Sequence, residues 1–526
     1  MKKIVVNGLK LPIMHTEEEA FEKAEKLLKR YSLKAENMVI YKKSLDARRK
    51  NDIHFEYSVV AEIDSSKEVP QNSQIRLMDN ISLIDFDALK VKNKCGKKIV
   101  VVGSGPCGLF AAYVLCRCGA EVTVLERGGN VDKRSAAVEN FWKNGTLDSE
   151  TNIQFGEGGA GTFSDGKLNT RIGDPLQSFV LETFVRFGAP REILYQAKPH
   201  IGTDFLKICV KNMRKEIEAM GGKVLFDSCL TDFKVKNNRV AEIEINNSLT
   251  FACDSLVLAI GHSSRDTYEM LYRHGVAMEQ KPFAAGVRIE HRREFINRMQ
   301  YGTCPQIELL PTADYRLAYN GESRSCYSFC MCPGGVVVDA SSEAGHLVVN
   351  GMSYHSRMAD NSNSALVVTV RPEDFCSDSP LAGMEFQRKY EALAYGLGGG
   401  KGPVQLVKDF VLDKTSSGFD GVLPSFTGQT VFADLRECLP KFIADTLKGG
   451  LLDFDRKIKG FSGEGAVLTG VEMRTSAPLR IKRNSDYESI SHKGLYPAGE
   501  GAGYAGGIMS AAIDGIKVAM QILKYE

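Results

Sequence analysis

Charge of one sign is what this sequence has least of. Lys and Arg number 67 against 65 Asp and Glu, a formal charge of +2, so no field over the whole protein draws it to nucleic acid or acidic lipid. Long apolar runs are missing too. The most apolar late stretch, Ile508 to Leu523, is interrupted by Asp514 and Lys517 and falls short of the roughly 20 apolar residues that span a bilayer. The opening Met1–Gly8 segment is basic, but its apolar run ends after Ile4, Val5 and Val6, below the roughly seven to fifteen residues of a secretory signal. The expectation is a cytoplasmic protein with no membrane segment. The 13 cysteines are odd in number and scattered, which suits reduced thiols used as small apolar residues and not a disulfide framework. There is no repeat of fixed period, nucleophile elbow, Walker loop, H-E-x-x-H or iron–sulfur spacing.

What is present fills about three domains, taking roughly 150 residues for each in a chain of 526 residues. Residues 1–90 read as a small α+β unit: a strand at Ile4–Val6, a helix with apolar Ala20, Phe21, Ala24, Leu27 and Leu28 at helical spacing, and strands at Met38–Tyr41 and Phe55–Ile63. The basic run Lys42–Lys50 has no interleaved aromatics and reads as a solvated loop. Asp87–Lys98 is polar, without periodicity, and reads as a linker. From residue 97 to 291 a second unit opens on a βαβ pattern, with an apolar strand Ile99–Val102, a helix Leu109–Cys118 and a strand Glu121–Glu126. Residues 292–460 are less regular and read as an inserted α+β substrate domain. Residues 461–526 return to the second unit. The fold expected is α/β, a Rossmann-like cofactor-binding domain split in sequence around that insertion.

Gly103-Ser104-Gly105-Pro106-Cys107-Gly108 stands between the first strand and its helix, and Glu126 ends the second strand. A lone G-x-G-x-x-G is a weak signal; in a βαβ unit with an acid about 20 residues on, it is specific for a dinucleotide. Gly103 makes the turn, Gly105 lets backbone approach a pyrophosphate, Gly108 lets helix and strand pack closely, and Glu126 can accept from ribose hydroxyls. The helix terminus then faces the diphosphate charge. A second glycine-rich terminus, Ala498-Gly499-Glu500-Gly501-Ala502-Gly503 followed by Gly506, Gly507 and Ile508, lies almost 400 residues further on, which suggests one long cofactor touching both. The loop Gly156–Lys167 carries glycines at 156, 158, 159 and 161, free to adopt unusual dihedrals and to leave amides for a phosphate or flat ring. No second unit of strand, G-x-G-x-x-G and helix with its own acid is read, so a dedicated NAD(P)H domain is not expected, although NAD(P)H could still act as reductant.

These two termini resemble those of FAD-containing flavoproteins with a glutathione-reductase-like FAD domain, in which the carboxyl-terminal acid meets the ribityl chain or pyrophosphate and the next helix points at the flavin. More closely, the segments Ser44–Arg48, Phe155–Leu168, His200–Asp204, Gly286–His291 and Asn350–Tyr354, with the terminal motif, resemble the uncharacterised FAD-dependent dehydrogenases, a family of NAD(P)/FAD-dependent oxidoreductases. The resemblance implies FAD as cofactor and assigns it to Gly103, Gly105, Pro106, Cys107, Gly108, Glu126, Arg127, Arg134, Gly159, Ala160, Thr162, Asp165, Lys167, Gly261, Glu500, Gly501, Gly506, Gly507 and Ile508. Arg127-Gly128-Gly129 and Arg134 follow the related arginine–glycine pattern only loosely.

For the chemistry, His262 closes a buried strand at the edge where α/β sheets bind ligands, and His291 and Tyr354 are the other candidates for acid or base. In Cys326–Gly335, Cys330 and Cys332 would share one face of a strand. They read as core residues ahead of a redox or substrate-contacting pair, and zinc lacks a fourth ligand. Arg474 could bind an anion or pair with Glu472, and the internal pair is the preferred reading. The function expected is hydride exchange between FAD and a small organic substrate, without nucleic acid or membrane as partner. A tRNA-modifying flavoprotein and an FAD-binding sensor or assembly factor are the alternatives.

Overall fold

Ile99, Val100, Val101 and Val102 are all buried, as β-branched residues are in a strand covered on both faces. The computed structural model describes residues 1–70, 72–78, 98–169, 173–463 and 465–524. In it, Lys98–Val102 is the centre of a five-stranded sheet in the order Leu495–Pro497, Ser255–Leu258, Lys98–Val102, Glu121–Leu125, Lys223–Leu225. All four pairings are parallel. A strand near the carboxyl terminus thus completes a sheet begun 400 residues earlier, the split arrangement expected from the two glycine-rich termini.

Helices Pro106–Arg117, Thr203–Ala219 and Ile508–Lys524 cover one face of this sheet, meeting at Phe110, Val114, Met213 and Ile516. Pro106–Arg117 is apolar almost all round because it is packed between sheet and helices. The other face is covered by an antiparallel sheet of Leu230–Lys236, Arg239–Ile245 and Leu249–Ala252, through Phe233, Ile243, Leu256 and Leu258.

The inserted unit is built on a seven-stranded sheet in the order Ala318–Asn320, Ser325–Cys332, Asn361–Val370, Phe283–Arg292, Ala466–Glu472, Gly402–Leu406, Thr430–Phe432. Phe283–Arg292 pairs along its whole length with Asn361–Val370 and also with Ala466–Glu472. The sheet therefore reaches further in both directions than 292–460. Only Lys281 and Pro282 separate its first strand from the strand Met278–Gln280 before it, which is why its apolar residues read as part of the earlier domain.

The amino-terminal unit is a four-stranded antiparallel sheet, Glu36–Asp46, His54–Ile63, Lys2–Leu11, Ile75–Leu77, under helix Glu18–Lys29. The basic run is not all loop. Lys42 to Asp46 belong to a strand, and the Lys43 amide donates to Tyr195 O at 2.7 Å while its carbonyl accepts from Ala197 N at 2.9 Å. Its amine lies over the Phe55 and Tyr57 rings. Lys42 and Lys43 lie on a strand that docks the unit, the first exposed and the second half-buried, and Arg48, Arg49 and Lys50 follow in the exposed turn beyond it. The expected linker, apart from Lys98, lies outside the described residues. Among the described residues no helix is long and apolar enough to cross a membrane.

Candidate functional site

Gly103, Gly105 and Gly108 turn the chain from strand to helix, and their reasons for being glycine differ. A Cβ on Gly103 would stand 2.3 Å from Ala259 O, and one on Gly108 would stand 1.9 Å from Gly103 O; both are demanded by close backbone packing. A Cβ on Gly105 would find only Gly159 Cα, at 3.7 Å, and its φ of −71° suits any residue. Neither packing nor backbone shape explains this glycine. Gly506 is the same: a Cβ there would meet nothing within 4 Å. Gly261 and Gly507 also border open space, although their φ of 72° and 126° favours glycine in any case.

The structure brings the three glycine-rich segments together. Gly159 faces Gly105, and Gly161 lies over Ile508 and Pro106. Gly501 lies against the backbone of Gly261, and Tyr268 OH donates to Gly501 O at 2.7 Å. Cys107 is buried against Gly499, and burial pushes its thiol well up from the ordinary value. Asp514, the acid inside the apolar last helix, accepts from Gly499 N at 2.7 Å and from both Arg483 terminal nitrogens at 2.9 and 2.6 Å. It holds the terminal loop against its own helix. The Glu500 carboxylate is half-buried and bonded to no other described residue, with Tyr268 and Lys281 near enough to feel its charge.

Glu126 is a clasp. Its carboxylate accepts from Ser104 N at 2.9 Å, Ser104 Oγ at 2.7 Å, Gly128 N at 3.0 Å and Gly156 N at 2.9 Å, joining three loops. Glu126 and Ser104 are buried and the carboxylate's roughly four acceptor sites are all taken, so a ribose hydroxyl would have to displace Ser104 Oγ, the one side-chain donor. Arg134 is completely buried, and its guanidinium donates to the carbonyls of Asn152, Ile153, Gly156, Glu157 and Gly159. Burial pulls it down to about 10. Its donors are taken up inside the protein, so it shapes the glycine loop instead of reaching a cofactor. Arg127 likewise bridges Glu150 at 2.8 Å and Asp266 at 2.7 Å while lying over Phe155.

Beyond the loop, Thr162 and Asp165 are buried. Asp165 accepts from Ser353 Oγ and Arg357 and lies 3.5 Å from Lys167 Nζ. Burial pushes the Asp165 carboxyl up, but Lys167 and Arg357 outweigh it and hold it below the ordinary range. Lys167 also donates to Met331 O, tying this loop to the strand that carries Cys330 and Cys332.

His262 is half-buried at the rim, its Nε2 bonded to Arg474 O at 2.9 Å. A carbonyl only accepts, so Nε2 carries the hydrogen and the neutral ring keeps Nδ1 as a base. Arg474 does not pair with Glu472. Its strand ends at Glu472, and beyond that end the guanidinium turns to Glu391, at 2.8 and 2.6 Å, while Glu472 pairs with Arg288 at 2.8 Å. Glu391 also takes Arg265 at 2.8 Å, and its carboxyl is held at about 2 because these two cations overcome burial. Sequence spacing could not signal this buried link between the two units, whose partners are over 80 residues apart. His291 stands apart from the loops: it is buried within its strand, bonded through Nε2 to Phe461 O at 2.8 Å and packed on the Phe461 ring. Burial pushes it down to about 4, so it has neither access nor charge for proton transfer. Tyr354 is 58% exposed, between Ser353 and His355.

The residues fit a long dinucleotide. Two glycines with no internal reason for lacking a side chain, Gly105 and Gly506, precede two helices whose starts, Pro106 and Ile508, both lie against Gly161 and whose first amides lack intrahelical partners. Comparison with known proteins agrees. Residues 282–475 match the family of FAD-dependent protein, C-terminal domain-like; residues 101–153 match an NAD(P)-binding Rossmann-like domain; residues 1–62 match a domain of unknown function. An uncharacterized protein of Clostridium beijerinckii is 53% identical over 511 residues, 95% of each chain. Among solved structures, a glycine oxidase from Bacillus cereus is 12% identical over 82% of this chain and 96% of that one, with a TM-score of 0.33. A flavoprotein/dehydrogenase from Cytophaga hutchinsonii is 13% identical over 82% and 79%, with a TM-score of 0.35.

Proposed function

This chain belongs to the same family as the uncharacterized Clostridium beijerinckii protein and carries an FAD-dependent protein, C-terminal domain-like region, and from that premise we propose an oxidoreductase that exchanges a hydride between FAD and a small organic substrate. The observation that carries this reading is the pair of unexplained glycines, Gly105 and Gly506, before two helix starts that share Gly161 and form one proposed cradle. Bound FAD supplies the two-electron acceptor or donor. Gly105 and the first amides after Pro106 hold the pyrophosphate. Glu126 and Ser104 meet the adenosine ribose, and Glu500 meets the ribityl chain or pyrophosphate. Gly506, Gly507 and Ile508 present the last helix to the ring. His262 Nδ1 and the Tyr354 hydroxyl are the groups assigned to hold or move a substrate proton.

The protein is expected to purify yellow, with about one FAD per chain. Anaerobic addition of NADH or NADPH, followed by a screen of oxidants, checks the rest: rapid reoxidation by one small molecule supports the reading. A folded chain that takes up no FAD would overturn it, as would copurified RNA whose removal abolishes turnover.

A further inference from the structure

Cys330 and Cys332 do not sit in their strand as two packed core residues would. The register with Asn361–Val370 breaks between Phe329 and Cys332, and Cys330 has a φ of 41°, in the left-handed region that a non-glycine residue rarely occupies. In a regular strand, residues two apart have Cα atoms about 6.5 Å from one another, near the upper limit for a disulfide of about 6.8 Å. The Cys332 thiol turns back along the chain and donates to Cys330 O at 3.4 Å, which sets its sulfur beside residue 330. Cys332 is fully buried, while Cys330 is only half-buried, beside the exposed ring of Phe329.

The surroundings select one thiol for reaction. Arg288, fully buried, donates to Cys330 O at 2.6 Å and stands 3.9 Å from Cys332 Sγ. Lys167 holds the carbonyl of the residue between them. The neighbouring Cys332 and these two cations lower the Cys330 thiol against the effect of burial, whereas Cys330 and burial raise the Cys332 thiol. Two acids oppose these cations: Asp165 pairs with Arg357 and stands 3.5 Å from Lys167, and Glu472 pairs with Arg288. A half-buried thiol whose surroundings favour the thiolate, beside a fully buried thiol, is the arrangement of an attacking and a resolving cysteine.

We propose that Cys330 and Cys332 form a dithiol–disulfide couple, a second redox group of this protein besides its flavin. With a low-molecular-weight disulfide as oxidant, Cys330 Sγ attacks one sulfur, the external S–S bond breaks and one thiol leaves. Cys332 then gives up its proton and attacks Cys330 Sγ, the mixed S–S bond breaks and the second thiol leaves. Two cysteine thiols are oxidised and one external disulfide is reduced to two thiols. This step does not depend on the hydride reading above.

Holoprotein equilibrated against graded ratios of reduced and oxidised glutathione, quenched in acid, alkylated after unfolding and mapped by mass spectrometry tests it. Both thiols should be lost to the label together, in one transition, with an internal disulfide on the peptide. In Cys332→Ser, the glutathione adduct on Cys330 should rise from a trace to about one per chain; in Cys330→Ser, Cys332 should stay reduced. Wild-type protein with both thiols still free in fully oxidised glutathione would overturn the proposal, as would an adduct on Cys330 that Cys332 never resolves. FAD absorbance is read in the same samples: full flavin with inert thiols sinks this inference alone, and reactive thiols with no flavin sink only the function proposed above.

Discussion

The seam between the first strand and its helix and the rim of the cradle are both made of glycine, for opposite reasons. At the seam, Gly103 and Gly108 lack side chains because backbone occupies the space, with carbonyl oxygens 2.3 and 1.9 Å from where a Cβ would be. At the rim, Gly105 and Gly506 have neither a neighbour nor a dihedral that requires glycine. The G-x-G-x-x-G pattern assigns a turn, a ligand approach and a packing contact to its three positions. The structure divides them into one that leaves room for a ligand and two that let the protein fold.

The largest effect should fall on the seam. Gly108→Ala puts a methyl into a backbone carbonyl that cannot rotate away, and overpacking of this kind costs about 1–3 kcal/mol, occasionally more. A loss of about 3 kcal/mol is expected in urea unfolding of the flavin-free protein. An unchanged midpoint would mean that helix and strand can separate at no cost, and the seam would then be no different from the rim.

Gly105→Val sharpens the same division from the other side. Its side chain projects into open space, and valine is a poorer helix cap than glycine, so the flavin-free protein should lose only about 1 kcal/mol. FAD affinity should fall about a hundredfold or more, or roughly 2.7 kcal/mol, because the pyrophosphate must approach this Cα. Titration of the apoprotein with FAD measures it. Full affinity in Gly105→Val would place the cofactor elsewhere.

What could be read from the sequence follows the same line. Gly103–Gly108 and Glu126 were legible because their signal is local: a strand, a turn and a helix within 30 residues. That Glu126 is also a clasp was not, since one of its donors, Gly156 N, arrives from a loop 30 residues on. Arg134 has the right type and place for a cofactor ligand, yet five backbone carbonyls enclose it. The partners of Arg474 and Glu472 were illegible because adjacent charges in sequence pair readily on paper, while tertiary structure sends one to Glu391 and the other to Arg288. The C-x-C spacing read as strand alternation until a register break and a positive φ at Cys330 removed the alternation.

The smallest effect should come from the far end of the rim. The helix Ile508–Lys524 begins beside Gly506 and Gly507, and the dipole of such a helix places partial positive charge at its start. Gly506 N donates to Ser510 Oγ at 3.1 Å, and Ser510 Oγ returns a bond to Gly507 O at 3.1 Å, so the terminus is already formed and needs no reorganisation to meet a negative ligand. If this end faces the flavin, it favours the reduced form, which carries more negative charge, over the oxidised one. Gly507 is the poorer place to test this, because its φ of 126° would strain any side chain. Gly506→Ala adds one methyl in open space and holds the ring slightly away. The midpoint potential should then fall by about 30 mV for each tenfold loss in the preference for reduced over oxidised flavin, and a single methyl is expected to produce a shift of about that size or less. Redox titration of the variant at full FAD occupancy reads it directly. An unchanged potential would mean that Gly506 leaves room for something other than the ring, and the two ends of the cradle would then not belong to one cofactor.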